Sequence, residues 1–190
     1  MDSKASPRPT ILFALLDWGM GHASRTAPLI QYSINQGWDV HIGTKGTALA
    51  FLKSQFEGVP IAFHYKPGAE IKYAKRGTLL KIAGQMPRFL KSIAAEMDWT
   101  RAIVESYGIT HIISDNCYGA HHPKIPSVLI SHQLQLPVPI GLKALARFFV
   151  KRHTKHFREV WIPDDGKIRL SGKLGFQNYL KHARCIGVLT

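Results

Sequence analysis

The sequence contains few cysteines, few acidic residues and no long apolar run. Two cysteines, Cys117 and Cys185, are too few for a disulfide framework and predict reduced thiols. No stretch approaches the roughly 20 apolar residues that a membrane-spanning helix needs. Residues 1–9, which we expect to form a disordered tail, lack the apolar core of a signal peptide. These absences predict a cytoplasmic protein with no more than peripheral membrane contact.

Several sequence patterns that carry chemistry are also missing. There is no Gly-x-x-x-x-Gly-Lys-Ser/Thr, which excludes a P-loop, and no Gly-x-Ser-x-Gly, so a serine hydrolase has no support. His111, His121 and His122 have no cysteine or carboxylate beside them at metal-ligand spacing. We therefore predict neither a metal site nor a cofactor.

Acidic residues are scarce relative to basic ones. The chain has 12 Asp and Glu against 25 Lys and Arg, a formal charge of +13, which predicts an anionic partner such as membrane lipid, nucleic acid or a phosphorylated substrate. The excess is concentrated in residues 72–91 and 141–158, where apolar side chains are interleaved with the basic ones. We expect the apolar stripes to pack in the core and the charges to face an anionic membrane. Nucleic acid is not the expected partner, because no RNA- or DNA-binding motif is present.

Apolar runs alternate with amphipathic segments along the chain. At 190 residues and 45% hydrophobic composition, the chain is long enough for one domain, predicted to span residues 10–190. The near-continuous apolar runs predict buried parallel strands at 10–16, 38–43, 59–64, 109–114, 127–131, 159–162 and 184–188. Helices are predicted at 24–36, 46–55, 78–106 and 140–157. This alternation predicts an α/β fold, a Rossmann-like open parallel sheet flanked by helices.

A glycine-rich turn, Asp17-Trp-Gly-Met-Gly-His-Ala-Ser-Arg25, connects the first strand to the first helix. The N-terminus of a helix favours anions because its N–H groups are unpaired, and His22 lies at that end. The turn is not a dinucleotide fingerprint, since Ser24 replaces the third glycine and no acid ends the second strand. Gly19 and Gly21 alone would indicate only a tight turn. With His22 and Arg25 added, the loop is predicted to be functional.

Polar residues follow two further strands at the same predicted edge of the sheet, where ligands bind in parallel α/β folds. Asp115 and Asn116 follow the fourth strand, and His132 and Gln133 follow the fifth. Asp115 could orient His22 or bind a hydroxyl, but Asp-Asn is equally an ordinary turn, and the same two interpretations apply to His132 and Gln133. A neutral His22 could act as a general base, or it could simply pack at the helix end.

The turn Gly19-Met-Gly-His-Ala-Ser-Arg25, together with Ile113-Ser-Asp-Asn-Cys-Tyr-Gly119 and Ile125-Pro-Ser-Val-Leu-Ile-Ser-His-Gln133, resembles the GT-B glycosyltransferases. The similarity is greatest to the branch that contains MurG and the diacylglycerol galactosyltransferases, glycosyltransferase family 28. The resemblance implies that this chain is the N-terminal, acceptor-binding half of a two-domain architecture. The donor-binding half, with its second glycine-rich loop, is not recognised within these 190 residues.

This resemblance implies an acceptor-binding role in sugar transfer from a nucleotide-sugar donor, which a second domain or a partner subunit would hold. The acceptor is expected to be lipid-linked or otherwise anionic, and the isolated chain to be inactive. His22 is the expected general base or substrate contact. The other expected substrate-binding residues are Gly19, Gly21, Arg25, Asp115, Asn116, His132 and Gln133. The alternative is a non-catalytic α/β module that docks on an anionic membrane or on a donor-binding partner.

Overall fold

The computed structural model describes residues 8–68, 78–132, 134–135, 138, 140–164 and 180–189, with side chains in the third helix from Pro87 onward. Gln133, most of the predicted N-terminal tail and most of the basic loop after the third strand lie outside these residues.

The described residues form a seven-stranded sheet in which every neighbouring pair is parallel, in the order β3-β2-β1-β4-β5-β6-β7. The fold class predicted from the sequence is therefore confirmed. The strands are β1 (Thr10–Leu15), β2 (Asp39–Thr44), β3 (Ile61–Tyr65), β4 (His111–Asp115), β5 (Ser127–Ile130), β6 (Glu159–Ile162) and β7 (Ala183–Cys185). The helices are α1 (Met20–Asn35), α2 (Gly46–Gln55), α3 (Thr78–Tyr107) and α4 (Lys143–Thr154), the last preceded by a 3₁₀ turn at Ile140–Leu142.

The central strand β1 is buried on both faces. On one face Phe13 packs with Ile30 of α1 and Leu52 of α2. On the other face Leu12 packs with Val104 of α3. Burial of each such side chain stabilises the fold by roughly 1.5–3 kcal/mol, so the strand from which the glycine turn leaves is firmly fixed.

Helix α1 begins four residues earlier than predicted. Gly19 adopts a positive φ of 87° at the residue before the helix, a conformation that glycine reaches at little cost. The helix therefore starts at Met20, and Gly21 and His22 lie in its first turn. Pro28 consequently lies inside the helix, and Pro87 likewise lies inside α3.

Helix α4 does not bury its apolar stripe as expected. Val150 is buried, but Leu145 and Phe148 are 65% and 63% exposed, and Leu142 is 40% exposed. The expectation that this stripe packs in the core is therefore wrong for the first half of the helix. The amphipathic pattern alone does not say which apolar residues face the sheet, and here the half that approaches the sheet is the C-terminal one.

Candidate functional site

The site lies at the carboxyl edge of the sheet, where the loops after β1, β4 and β5 meet. His22 is held there by the first turn of α1 and is 8% exposed. Its Nδ1 lies 2.9 Å from Oδ1 of Asp115, the last residue of β4. The two residues are 93 positions apart in sequence but adjacent in space, because β1 and β4 are paired strands.

Asp115 is completely buried and is surrounded by hydrogen-bond donors. Its Oδ2 accepts hydrogen bonds from Arg25 Nε at 2.8 Å and from Thr26 Oγ1 at 2.9 Å, while its Oδ1 contacts Arg25 Nη2. Burial opposes ionisation of this carboxyl, but the hydrogen bonds from His22 and Arg25 outweigh it and hold its pKa below the ordinary value. Asp115 is therefore a carboxylate at neutral pH.

Arg25 connects Asp115 to His132, which follows β5. Arg25 Nη1 lies 2.6 Å from His132 Nδ1. Because a guanidinium can only donate, Nδ1 of His132 is the acceptor and its ring proton is on Nε2. Burial, and then the charge of Arg25, lower the pKa of His132. His132 is thus a neutral imidazole that presents an N–H donor.

His22 is placed so that its two ring nitrogens have different roles. Its Nδ1 is 2.9 Å from Asp115 Oδ1 and 2.7 Å from Arg25 Nη2. We assign the proton to Nδ1, because the Asp115 carboxylate facing it can only accept, and we assign the Arg25 Nη2 hydrogen bond to the same carboxylate oxygen and not to His22. In this tautomer Nε2 of His22 carries a lone pair. The ring centroids of His22 and His132 are 6.4 Å apart. The Nε2 lone pair of His22 and the Nε2–H donor of His132 therefore belong to neighbouring rings.

The structure brings four of the residues predicted for the site into one network: His22, Arg25, Asp115 and His132. Whether they bind a substrate stays a prediction. Asn116 has a φ of 57° and its N–H donates to the Ile130 carbonyl, which is the geometry of an ordinary turn. Gly19 and Gly21 have no atom within 4 Å of the position that a Cβ would occupy, so the surface of the turn is open.

Sequence reasoning missed two polar residues here. Thr26 is four residues after His22, on the same face of α1, and that spacing could have predicted its contact with Asp115. Asp17 points away from the site: its Oδ1 accepts from the Ala48 N–H at 3.2 Å and from Thr47 Oγ1 at 3.3 Å. It therefore caps helix α2, whose own preceding residue, Lys45, makes no side-chain cap.

A buried ion pair supports the loops behind the site. Lys66 Nζ lies 2.6 Å from Glu96 Oε1, and Glu96 Oε2 accepts the Gly119 N–H at 3.1 Å. Glu96 of α3 therefore ties the loop after β3 to the loop after β4. Lys45, the residue before α2, donates from Nζ to the Gly68 carbonyl at 2.8 Å. Burial raises the pKa of the Cys117 thiol, which keeps it protonated.

Within the described part of the chain, no group of three or more His, Cys, Asp or Glu side chains could hold a metal ion. Among the described helices, none is long and apolar enough to cross a membrane.

Comparison of the sequence with protein-family models and with curated proteins gives no match, but solved structures with this fold exist and are glycosyltransferases. MurG of Acinetobacter baumannii matches with a TM-score of 0.53 and 11% identity, covering 96% of this chain and 45% of MurG. A UDP-glucosyltransferase from Polygonum tinctorium matches with a TM-score of 0.57 and 13% identity, covering 97% of this chain and 53% of the enzyme. UGT2 of Phytolacca americana gives a TM-score of 0.57 and 10% identity, covering 97% and 55%.

The chain thus spans about half the length of the solved structures that it matches. At identities this low, the likeness shows a shared fold: the Rossmann-like sheet is one half of the GT-B architecture expected from the glycine turn.

Proposed function

We propose that this chain is the acceptor-binding half of a nucleotide-sugar-dependent glycosyltransferase and that His22 is its general base. The observation that carries the proposal is the contact between His22 Nδ1 and the buried Asp115 carboxylate, at the sheet edge where parallel α/β folds bind ligands. The shared fold supports it, since the matched structures are glycosyltransferases. The nucleotide-sugar donor is held by a second domain or by a partner subunit.

The chemistry follows from the tautomer assigned to His22. Nε2 takes the proton from the acceptor hydroxyl as that oxygen attacks the anomeric carbon of the sugar. The bond from the sugar to the nucleoside diphosphate breaks, and the anomeric configuration inverts. The resulting imidazolium is stabilised by the Asp115 carboxylate 2.9 Å from Nδ1. A positioned general base contributes about 10²- to 10⁴-fold to the rate.

His132 and Arg25 have different roles in this proposal. Arg25 uses Nε, Nη1 and Nη2 within the network, so it positions the two histidines instead of contacting the acceptor. His132 Nε2–H is then available to donate to an acceptor oxygen. The open first turn of α1 after Gly19 offers N–H groups to an anionic part of the acceptor.

The acceptor is proposed to be lipid-linked, because the surface beside the site suits a membrane. Helix α4 begins at the same edge of the sheet as the site, since it follows β5 in a parallel crossover. Its first half exposes Leu145 and Phe148 beside the basic residues Lys143 and Arg147. Each basic residue near an anionic surface contributes about 1 kcal/mol to binding. We therefore propose a peripheral position at the cytoplasmic face of a membrane.

The test is sugar transfer by the complete enzyme, meaning this chain with its donor-binding domain or subunit. His22→Ala should reduce kcat at least about 100-fold, and Asp115→Asn should reduce it as well by favouring the wrong tautomer of His22. The matched control is His111→Gln, which changes a histidine at the opposite end of β4 and should leave kcat unchanged.

Full activity of the His22→Ala enzyme would refute the general-base role. The exposed apolar face of α4 favours one alternative function, a non-catalytic module that docks on an anionic membrane or on a donor-binding partner. That alternative would be supported if the chain binds anionic vesicles while the His22 and Asp115 variants leave kcat of sugar transfer unchanged.

A further inference from the structure

A basic cleft lies at the amino edge of the sheet, opposite to the proposed acceptor site. Two segments form it: the turn at 122–127 that leads into β5, and the turn at 155–158 that leads into β6. The cleft is open and has a volume of about 430 Å³. Its polar lining consists of His122, Lys124, Ser127, Lys155, His156 and Arg158.

The residues that line the cleft carry positive charge and include no acid; the adjacent Glu159, which interacts with the charge of Arg158, pairs with Arg184. Lys124, Lys155 and Arg158 are exposed, and none of the residues lining the cleft is Asp or Glu. In the described parts of the chain, none of these three side chains forms an ion pair. Like charges gathered around one opening repel each other, so an anion bound between them would relieve an unfavourable interaction.

Hydrogen bonds hold the walls of the cleft in place. Ser127 Oγ donates to the Ile125 carbonyl at 2.9 Å and accepts the His122 N–H at 3.3 Å. The Arg158 N–H donates to the Ser127 carbonyl at 2.8 Å, which joins the two segments. A site whose backbone is already ordered loses less entropy when a ligand binds.

His122 and His156 add donors to this opening. Nδ1 of His122 accepts the Lys124 N–H at 3.2 Å, which places the ring proton on Nε2. His156 is stacked on His121, with ring centroids 4.7 Å apart. The cleft thus combines three cationic groups with imidazole N–H groups, the combination that recognises the oxygens of a phosphoryl group.

We propose that this cleft is a second ligand site, which binds a phosphate-bearing anion. The shared chemistry is a phosphoryl group with two negative charges, supplied either by a free phosphate compound or by a phospholipid headgroup. Because the cleft lies at the opposite edge of the sheet from His22, this site is independent of the proposed transfer reaction and does not depend on it.

The test is calorimetric titration of the purified chain with inorganic pyrophosphate at fixed ionic strength. The double variant Lys124→Glu/Lys155→Glu should bind about tenfold more weakly, since each exposed charge pair is worth up to about a factor of five and two pairs up to about 25-fold. The control Lys53→Glu/Arg101→Glu changes the net charge equally but at α2 and α3, away from the cleft. It should keep the affinity of the unmodified chain.

Equal weakening in the two double variants would overturn the proposal, because binding would then follow net charge alone. Titration with vesicles containing phosphatidic acid separates the two sources. Competition between vesicles and pyrophosphate identifies a headgroup, and pyrophosphate binding without competition identifies a free phosphate compound. Binding to an RNA oligonucleotide with no affinity for pyrophosphate would also overturn the proposal. Circular dichroism of all variants excludes unfolding as the cause.

Discussion

Replacing Asp115 with Asn should destabilise the fold strongly. The carboxylate is 0% exposed and accepts from His22, Arg25 and Thr26. The amide keeps one acceptor oxygen, but its NH₂ group would face either the Arg25 guanidinium, which has no lone pair to offer, or His22, which would have to change tautomer to accept. It also leaves Arg25, whose side chain is 15% exposed, without its counter-charge. Breaking a buried pair in this way costs about 3–5 kcal/mol, a large share of the 5–15 kcal/mol by which domains are typically stable.

The assay is urea unfolding, with the free energy of unfolding taken by linear extrapolation. Asp17→Asn is the matched control, because it makes the same chemical change at a carboxylate that caps a helix through neutral donors and should cost about 1 kcal/mol. Removing the charge of Arg25 as well, in Asp115→Asn/Arg25→Met, should recover part of the loss. A cost for Asp115→Asn no larger than that of Asp17→Asn would refute the claim that Arg25 depends on this carboxylate.

The same residue predicts how stability changes with pH. The pKa of Asp115 is lowered in the folded chain, so its contribution is present above the unfolded-state pKa of about 3.9. That contribution is lost as the pH falls through the lower, folded-state pKa, because the unfolded chain then binds the proton more readily. The free energy of unfolding should therefore decline below about pH 4, and Asp115→Asn should show a shallower decline.

Two further predictions concern α4 and the first residue of α2. More of the chain should co-sediment with anionic vesicles than with neutral vesicles, and the amount bound to anionic vesicles should fall at high salt. The double variant Leu145→Ser/Phe148→Ser should bind anionic vesicles more weakly. Tyr32→Ser, at a similarly exposed residue of α1, should bind them as the unmodified chain does. Equal sedimentation with both kinds of vesicle would exclude the membrane role. Gly46→Ala should lower the free energy of unfolding by about 1 kcal/mol more than Gly58→Ala does. Both glycines have a positive φ, so backbone strain is common to the two variants. Only at Gly46 would the new Cβ also collide with the Asp17 carboxylate. Equal losses of stability in the two variants would show that backbone strain alone sets the cost and that the collision with Asp17 adds nothing.

The sequence predicted the sheet well because its central strands, β1 above all, are buried on both faces. The run from Ile11 to Leu15 is apolar throughout, which does not fit a half-exposed strand, and the glycine turn that follows leaves it too short for a helix. Parallel strands then bring their carboxyl ends to one edge, which is why residues as far apart as His22, Asp115 and His132 could be expected near one another. The start of α1 was less predictable, because it depends on the φ of Gly19 and not on any periodicity.

The details of the site lay beyond the sequence for a different reason. The bond from Arg25 Nη1 to His132 Nδ1 depends on the angle between α1 and the loop after β5, which no local pattern encodes. The same limit applies to α4: its spacing shows that an apolar stripe exists, but only the packing of Val150 against the sheet reveals that Leu145 and Phe148 are left exposed.

The proposed general-base role gives the buried network around Asp115 a purpose that stability alone does not. Ion pairs in protein interiors lose much of their attraction to desolvation, and apolar replacements of the same volume are often neutral or stabilising. An apolar cluster at the end of β4 would therefore hold α1 on the sheet equally well. What it would not do is fix the proton of His22 on Nδ1 and that of His132 on Nε2. The arrangement around Asp115 orients two imidazoles in opposite tautomers, which is what the proposed general-base role of His22 requires.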